Sequence, residues 1–136
     1  MKNILNDLCT INDGVYVKPS DIKDAGYGLF AGKNFTSKAY ITLYDGDILS
    51  RKEAWCRSKL SHMASREGIF VDGLKVPEIG RGGGSFANSA SFQKYANAEI
   101  VCWLGFLVIR SRKPIRQDEE ILVFYGRRGF QLSCST

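Results

Sequence analysis

The sequence has few of the residues from which metal sites and disulfide frameworks are built. Its 136 residues include four cysteines and one histidine. These residues lie far apart along the chain, at Cys9, Cys56, His62, Cys102 and Cys134. None of the cysteines has the close partner that a zinc motif requires. We therefore expect reduced thiols, no metal centre and an intracellular protein, with nucleus and cytoplasm equally compatible.

Long apolar runs are also missing. The longest one, residues 100–109, is interrupted by Gly105, whereas a membrane-spanning helix needs about 20 apolar residues. Residues 1–7 have no hydrophobic region of the kind found in secretory signals. We therefore expect no membrane association.

The charge pattern does not favour a nucleic-acid interface. The net charge is +5, but the basic residues within 110–116 are followed closely by the acidic residues 118–120. Such alternation is typical of a solvated connection between strands rather than of a stripe that follows phosphates. Direct binding of nucleic acid is therefore not expected and stays the weakest alternative.

Short runs rich in β-branched and aromatic residues predict a mostly β domain of several small sheets. The length suits one domain, which we place at residues 14–130, with an arm over 1–13 and a tail over 131–136. One helix is predicted, from about Arg51 to Ala64, because Ser50 and Glu53 form a capping box at its start.

Two hairpins are predicted from turn residues. Asp72 and Gly73 separate two apolar triplets, which is a strong signal for a two-residue turn. Gly105 separates a second, longer pair of apolar runs. The glycine cluster over 80–84 lacks the lysine and hydroxyl of a phosphate-binding loop, so flexible or tightly threaded backbone is the better interpretation.

A tyrosine follows the last apolar strand of the chain. Residues 120–124 alternate in an extended pattern and lead into Tyr125 and Gly126. A glycine at this point permits a tight exit from the strand. The ring of Tyr125 is then held by a rigid element while its hydroxyl reaches a cleft.

Four separated segments occur in an order that resembles the SET domain, the fold of the protein lysine methyltransferases. They are Gly26-Tyr27-Gly28-Leu29-Phe30-Ala31, Tyr44-Asp45-Gly46-Asp47-Ile48, Gly84-Ser85-Phe86-Ala87-Asn88 with Asn97-Ala98 after it, and Pro114-Ile115 through Glu119-Glu120-Ile121 to Tyr125-Gly126. Together they cover about residues 15–130, and the chain is similar to the minimal stand-alone members of viruses and microbes. The resemblance implies a SET fold in which the segment around Asn88 and the tail after Tyr125 form a knot-like arrangement.

The resemblance also implies S-adenosylmethionine as the methyl donor. Its binding residues would be the glycine-flanked aromatic segment, the knot segment and a cover for the adenine ring: Gly26, Tyr27, Gly28, Asn88, Ser89 and Phe130. The same resemblance places a protein or peptide lysine opposite the donor, with Tyr125 as the catalytic residue at the bottom of a channel. The proposed channel walls are Tyr44, Val123 and Ile100, and two copies of the chain could pair to complete the substrate groove.

The knot segment departs from the family pattern. Family members usually have Asn-His-Ser where this chain has Asn88, Ser89 and Ala90. Backbone contacts to a donor survive this change, whereas a ring contact from the histidine is lost. Two interpretations follow: a protein lysine methyltransferase acting on a histone or another protein, and a catalytically silent SET-like module that binds a protein or peptide.

Overall fold

A computed structural model describes residues 7–56 and 63–124. Most of the strands in these ranges form one eight-stranded sheet with the order β1-β2-β3-β11-β9-β10-β4, and β8 pairs with β11 beside this path. The strands are β1 Thr10–Ile11, β2 Gly14–Pro19, β3 Tyr27–Ala31, β4 Tyr40–Leu43, β8 Asn88–Ser89, β9 Ala98–Trp103, β10 Phe106–Ser111 and β11 Glu120–Val123. The predicted mostly β fold of sheets with one short helix is confirmed in these ranges; the predicted knot after Tyr125 lies outside the described residues.

A second, three-stranded sheet has the order β5-β7-β6. Its strands are β5 Gly46–Leu49, β6 Met63–Arg66 and β7 Ile69–Gly73, and α1 Arg51–Cys56 follows β5. Short 3-10 helices cover Gly84–Phe86 and Gln93–Tyr95. In the described ranges no helix has the length and apolar character needed to cross a membrane.

The core lies between the strands of the main sheet and the small sheet. Leu29, Ile41, Leu107, Ile109 and Ile121 are completely buried within it. Apolar burial of this kind is the main stabilising term of a domain this size. Residues before the predicted domain start also contribute, since Cys9 and Ile11 belong to the same core cluster.

Strand β11 is hydrogen-bonded along both edges. On one edge it pairs antiparallel with β3, and the Val123 carbonyl accepts from the Ala90 N–H at 2.7 Å. On the other edge the Leu122 carbonyl accepts from the Asn97 N–H at 3.0 Å, and the Leu122 N–H donates to Asn97 Oδ1 at 2.8 Å. The strand that leads into Tyr125 is therefore one of the most constrained in the fold.

The predicted helix has the right start and the wrong end. The capping box forms, because the Glu53 N–H donates to Ser50 Oγ at 3.1 Å and the Ser50 N–H donates to Glu53 Oε1 at 3.0 Å. However, Met63 and Ala64 belong to strand β6 and are buried. Packing of Met63 against Leu49 and Phe70 outweighs the local helical pattern there.

The hairpin predicted at Asp72 and Gly73 is wrong. Both residues continue β7 and pair with Asp47 and Gly46 of β5. A side chain at residue 46 would collide with the Asp72 carbonyl. Gly46 therefore lets β5 and β7 approach each other closely, and no turn forms at Asp72 and Gly73. The turn lies earlier, at Glu67 and Gly68, which have φ angles of 50° and 82°. The second predicted hairpin, between β9 and β10, is confirmed.

The glycine cluster is tightly packed rather than flexible. A Cβ on Gly82 or Gly84 would collide with the backbone of Leu43 or Tyr44. Asp45 holds the glycine cluster against the segment after β4. Its carboxylate accepts from the Gly82 N–H at 3.0 Å and from two nitrogens of Arg81 at 2.9 and 3.0 Å. Burial alone would raise the pKa of Asp45, but these hydrogen bonds outweigh it and hold the pKa below its ordinary value.

We expect Asp45→Asn to lower the free energy of unfolding near neutral pH by about 1–2 kcal/mol, since it weakens one part-buried charged hydrogen bond and an exposed ion pair. The folded pKa of Asp45 lies below its unfolded value of about 3.9, so its contribution is present above that pH and is lost as the pH falls through the folded pKa. Urea unfolding near neutral pH and at about pH 3 measures this difference.

The control is Asp13→Asn, the same change at an exposed position. It should leave stability nearly unchanged at either pH. If the deficit of the Asp45 variant were equally large in acid and at neutral pH, the assigned role of the carboxylate would be contradicted.

Candidate active site

Two cavities lie on opposite edges of the end of β11. The first, the glycine-loop cavity, has a volume of about 250 Å³ and is lined by Gly26, Tyr27 and Asn88 together with Lys75 and Phe86. It lies on the edge where β3 and β8 pair with β11. Three residues predicted separately to bind a cofactor therefore meet at one concave site.

The second, the arginine cavity, has a volume of about 140 Å³. Its lining includes Arg66, Arg112, Ile100 and Phe124. It lies on the β9 edge of β11, where Ala98 pairs with Val123. The last described residue of the chain, Phe124, thus borders this cavity directly before Tyr125.

The loop between β2 and β3 shapes the glycine-loop cavity. Its ends are joined by a hydrogen bond from the Ser20 N–H to the Gly26 carbonyl at 2.8 Å. Gly26 has a φ of 73° and open space at its Cβ position. A positive φ is accessible to glycine at little cost, so the loop can close back into β3 there.

Glu120 joins this loop to the knot segment. Its carboxylate accepts from Ser20 Oγ at 2.7 Å, from the Asp21 N–H at 3.0 Å and from Asn88 Nδ2 at 3.3 Å. The side chain is 8% exposed. A buried carboxylate is tolerated when several donors satisfy it, and here the donors come from both predicted cofactor-binding segments.

Gly28 has a packing role as well as a predicted cofactor role. A Cβ on this residue would lie 2.5 Å from Glu120 Oε2 and 3.1 Å from the Ser20 Cα. The small residue therefore makes room for the carboxylate that holds the loop. Whether Gly28 also contacts a donor stays a prediction.

Asn88 fastens the two predicted motifs to each other. Its side-chain Nδ2 donates to the Tyr27 carbonyl at 2.8 Å. The following residue, Ser89, is exposed, and its hydroxyl donates to the Ala90 carbonyl at 3.3 Å. The side chain of Asn88 thus joins the knot segment to β3, while the hydroxyl of Ser89 bonds within the knot segment itself.

Tyr27 and Lys75 bring an aromatic ring and a cation to the same cavity. The Tyr27 ring is 50% exposed and meets the Phe86 ring edge to face, with centroids 5.9 Å apart. Lys75 Nζ donates to Asp72 Oδ1 at 2.5 Å and to the Gly73 carbonyl at 3.2 Å. The cavity therefore combines an apolar wall with a lysine whose charge is balanced by Asp72.

The remaining predicted site residues differ in their surroundings. Ile100 lines the arginine cavity and is 4% exposed. Val123 is completely buried in the core, and Tyr44 is 3% exposed within it. Tyr125 and Phe130 lie outside the described residues. The channel roles of Tyr44, Val123 and Ile100 stay predictions.

Sequence reasoning missed the parts played by Glu120 and Asn97. Asn97 is buried, and its Nδ2 donates to the Glu120 carbonyl at 2.9 Å. One feature of the sequence could have pointed to Glu120. It begins an apolar strand, and the alternation of side chains puts it on the same face of that strand as Leu122. Its loop partners, about 100 residues away in sequence, could not be read from that pattern.

We expect Glu120→Gln to loosen the Ser20–Gly28 loop. An amide in place of the carboxylate presents a donor to the Asp21 N–H or to the Asn88 amide, and a lost charged hydrogen bond is worth about 1.5–3 kcal/mol. Hydrogen exchange should show faster exchange of the Asp21 amide. The control Glu67→Gln, at an exposed turn residue, should not change it; unaltered exchange in the Glu120 variant would contradict the network.

Comparisons with known proteins identify the family of the chain. A family model described as the SET domain matches residues 26–126, which is more than half of the chain. No curated protein matches the sequence. The family match includes the glycine loop, the knot segment and the strand that leads into Tyr125.

Solved structures of polycomb repressive complexes share the fold. A humanized mutant of the Chaetomium thermophilum Polycomb Repressive Complex 2 bound to the inhibitor GSK343 is 23% identical with a TM-score of 0.69, covering 93% of this chain and 16% of that chain. For ctPRC2 in an autoinhibited conformation bound to S-adenosylmethionine, the identity is 23% and the TM-score 0.68, covering 90% of this chain and 16% of that chain. The chain thus spans about a sixth of the length of these matched chains, and at this identity the likeness concerns the fold. On the family match over residues 26–126, the chain belongs to the SET-domain family.

Proposed function

We propose that this chain transfers a methyl group from S-adenosylmethionine to the side-chain amine of a lysine in a protein or peptide. The observation that carries the proposal is the pair of cavities on opposite edges of β11. Donor and acceptor must approach a reacting carbon from opposite sides in an in-line displacement. Two separate cavities flanking one strand suit that requirement.

The glycine-loop cavity fits part of the methyl donor. S-adenosylmethionine, when bound, supplies a methyl group on a positively charged sulfur. The Tyr27 and Phe86 rings offer apolar contact to it, while the Lys75 ammonium already pairs with Asp72 and the Gly73 carbonyl. The cavity of about 250 Å³ is somewhat smaller than the roughly 300–1,000 Å³ usual for small-molecule sites. We assign the rest of the donor site to residues after 124, with Phe130 over the adenine.

The donor proposal also draws on one structural relative. The ctPRC2 structure of the same fold was solved with S-adenosylmethionine bound. By analogy we assign donor contacts to Gly26, Tyr27, Gly28 and Asn88, and to the backbone of Ser89.

On the amine side, the arginine cavity borders Ile100 and Phe124. We propose that the target lysine reaches Tyr125 along the apolar side chains of Ile100 and Phe124 at the border of this cavity, with Tyr44 and Val123 shaping the floor from within the core. A lysine amine has an ordinary pKa of about 10.4 and is protonated at neutral pH. The apolar side chains along this route disfavour the charged form, and the nearby guanidinium groups of Arg66 and Arg112 disfavour it as well, so both lower this pKa. The proton leaves to water before transfer.

The chemical step then needs orientation more than acid–base work. The nitrogen lone pair forms a carbon–nitrogen bond as the methyl–sulfur bond breaks, and the enzyme's task is to hold the three atoms in line. We assign to the Tyr125 hydroxyl the role of orienting the neutral amine by a hydrogen bond. Strand β11, which is hydrogen-bonded along both edges, is the support for that hydroxyl.

We expect Tyr125→Phe to lower kcat about 10- to 100-fold, which corresponds to the loss of one strong hydrogen bond in the transition state. The dissociation constant for S-adenosylmethionine and the stability should change little. Transfer of labelled methyl groups to protein from a cell extract measures the rate. The matched control is Tyr16→Phe, which also loses one hydroxyl, at a position hydrogen-bonded to Asp118 at 2.9 Å; equal rates in parent and Tyr125 variant would refute the role.

The replaced residues at the knot favour one alternative, a silent SET-like module that binds a protein or peptide. Ser89 is exposed and Ala90 is buried, and neither supplies the ring that family members place there. Calorimetry separates the two functions. The methyltransferase predicts measurable binding of S-adenosylmethionine that is weakened by Asn88→Ala, whereas no heat of binding at millimolar donor would support the silent module.

A further inference from the structure

Backbone carbonyls hold two arginine side chains in place in the arginine cavity. Arg66 Nη1 donates to the Ser65 carbonyl at 2.9 Å, and Arg112 Nη1 donates to the Gln93 carbonyl at 3.0 Å. Within residues 7–56 and 63–124 neither guanidinium forms an ion pair. Each therefore keeps its full charge and several N–H donors for a ligand.

The acidic residue of the same cavity is already neutralised. Glu99 lines the cavity, but its Oε2 accepts from Arg110 Nε at 3.0 Å and from Arg110 Nη2 at 2.8 Å. The charge of Glu99 is balanced by Arg110, which leaves the charges of Arg66 and Arg112 in excess. A cavity with this balance attracts an anion and repels a cation.

The size and place of the cavity identify the kind of anion. Its volume of about 140 Å³ suits one side chain, and Phe124 borders it directly before Tyr125. In an extended peptide, alternate side chains face the same way at about 3.3 Å per residue. A side chain two residues from a lysine that passes Phe124 would therefore lie near this cavity.

We propose that the arginine cavity binds an aspartate or glutamate two residues before or after the target lysine, so that the substrate class is a lysine in an acidic context. This inference rests on the proposed function. A guanidinium binds a carboxylate through paired, charge-assisted hydrogen bonds. The same two charges act against a basic residue at that position, and discrimination comes from attraction and repulsion together.

The test uses peptides of glycine and serine with one central lysine. The residue two positions away is glutamate, glutamine or arginine, and a further peptide has glutamate at the adjacent position. Fluorescence anisotropy measures peptide binding to the whole chain, and labelled donor measures kcat/KM. For the parent we expect glutamate to be preferred about 10-fold over glutamine and more strongly over arginine. Glutamate at the adjacent position should have a smaller effect.

Variants assign the preference to the two arginines. Arg66→Gln with Arg112→Gln should abolish it, Arg66→Lys with Arg112→Lys should retain part of it, and Arg66→Glu with Arg112→Glu should favour the arginine peptide. Arg116→Gln, at an exposed position outside the cavity, is the control and should behave as the parent. Unfolding midpoints verify that each variant is folded.

The two readouts separate this inference from the proposed function. Charge-dependent binding without methyl transfer would support the cavity and refute the methyltransferase. Methyl transfer with no preference among the peptides, or a preference that survives in the double glutamine variant, would overturn the cavity's role while the methyltransferase stands. Failure of every peptide to bind would overturn it as well.

Discussion

The structure depends on how strand β11 is fixed. Asn97 engages the Glu120 carbonyl and both backbone groups of Leu122 on one edge, while β3 and β8 occupy the other. A strand that is satisfied on both edges can shift neither in register nor in position without breaking several buried hydrogen bonds. We propose that this fixed strand is the support that an orienting hydroxyl at Tyr125 requires.

The same strand also organises the proposed donor side through Glu120. A carboxylate accepts several hydrogen bonds and donates none when ionised, so it can join a serine hydroxyl, a backbone amide and an asparagine amide at once. Because Ser20, Asp21 and Asn88 come from two distant segments, one side chain sets their relative position. The missing Cβ of Gly28 is part of this arrangement, since it leaves room for that carboxylate.

Local signals in the sequence predicted what local interactions determine. The capping box at Ser50 and the hairpin around Gly105 involve neighbours in sequence, and both occur in the structure. The Asp-Gly step at Asp72 and Gly73 has the residues of a turn, but pairing with β5 decides its conformation. Propensity is outweighed wherever tertiary pairing buries more backbone and apolar surface than the local alternative.

In the candidate site, too, the sequence predicted some features and not others. The order of four motifs predicted that Gly26, Tyr27 and Asn88 belong to one site. These three residues line one cavity in the structure, because the fold places the motifs that carry them together. The supporting contacts of Glu120 and Asn97 join residues from separate elements of the fold, so no spacing in the sequence reports them. Within residues 7–56 and 63–124, the excess charge of Arg66 and Arg112 depends on their neighbours in space, which the sequence does not report.

The most direct measurement of the central claim is a crystal structure of the chain with S-adenosylhomocysteine and a lysine peptide. The account predicts the cofactor product in the glycine-loop cavity and the lysine side chain entering past Phe124 from the opposite edge of β11. The Tyr125 hydroxyl should lie within hydrogen-bond distance of the lysine nitrogen. Both ligands on one edge of the strand, or a Tyr125 oxygen buried among hydrocarbon away from either, would contradict it.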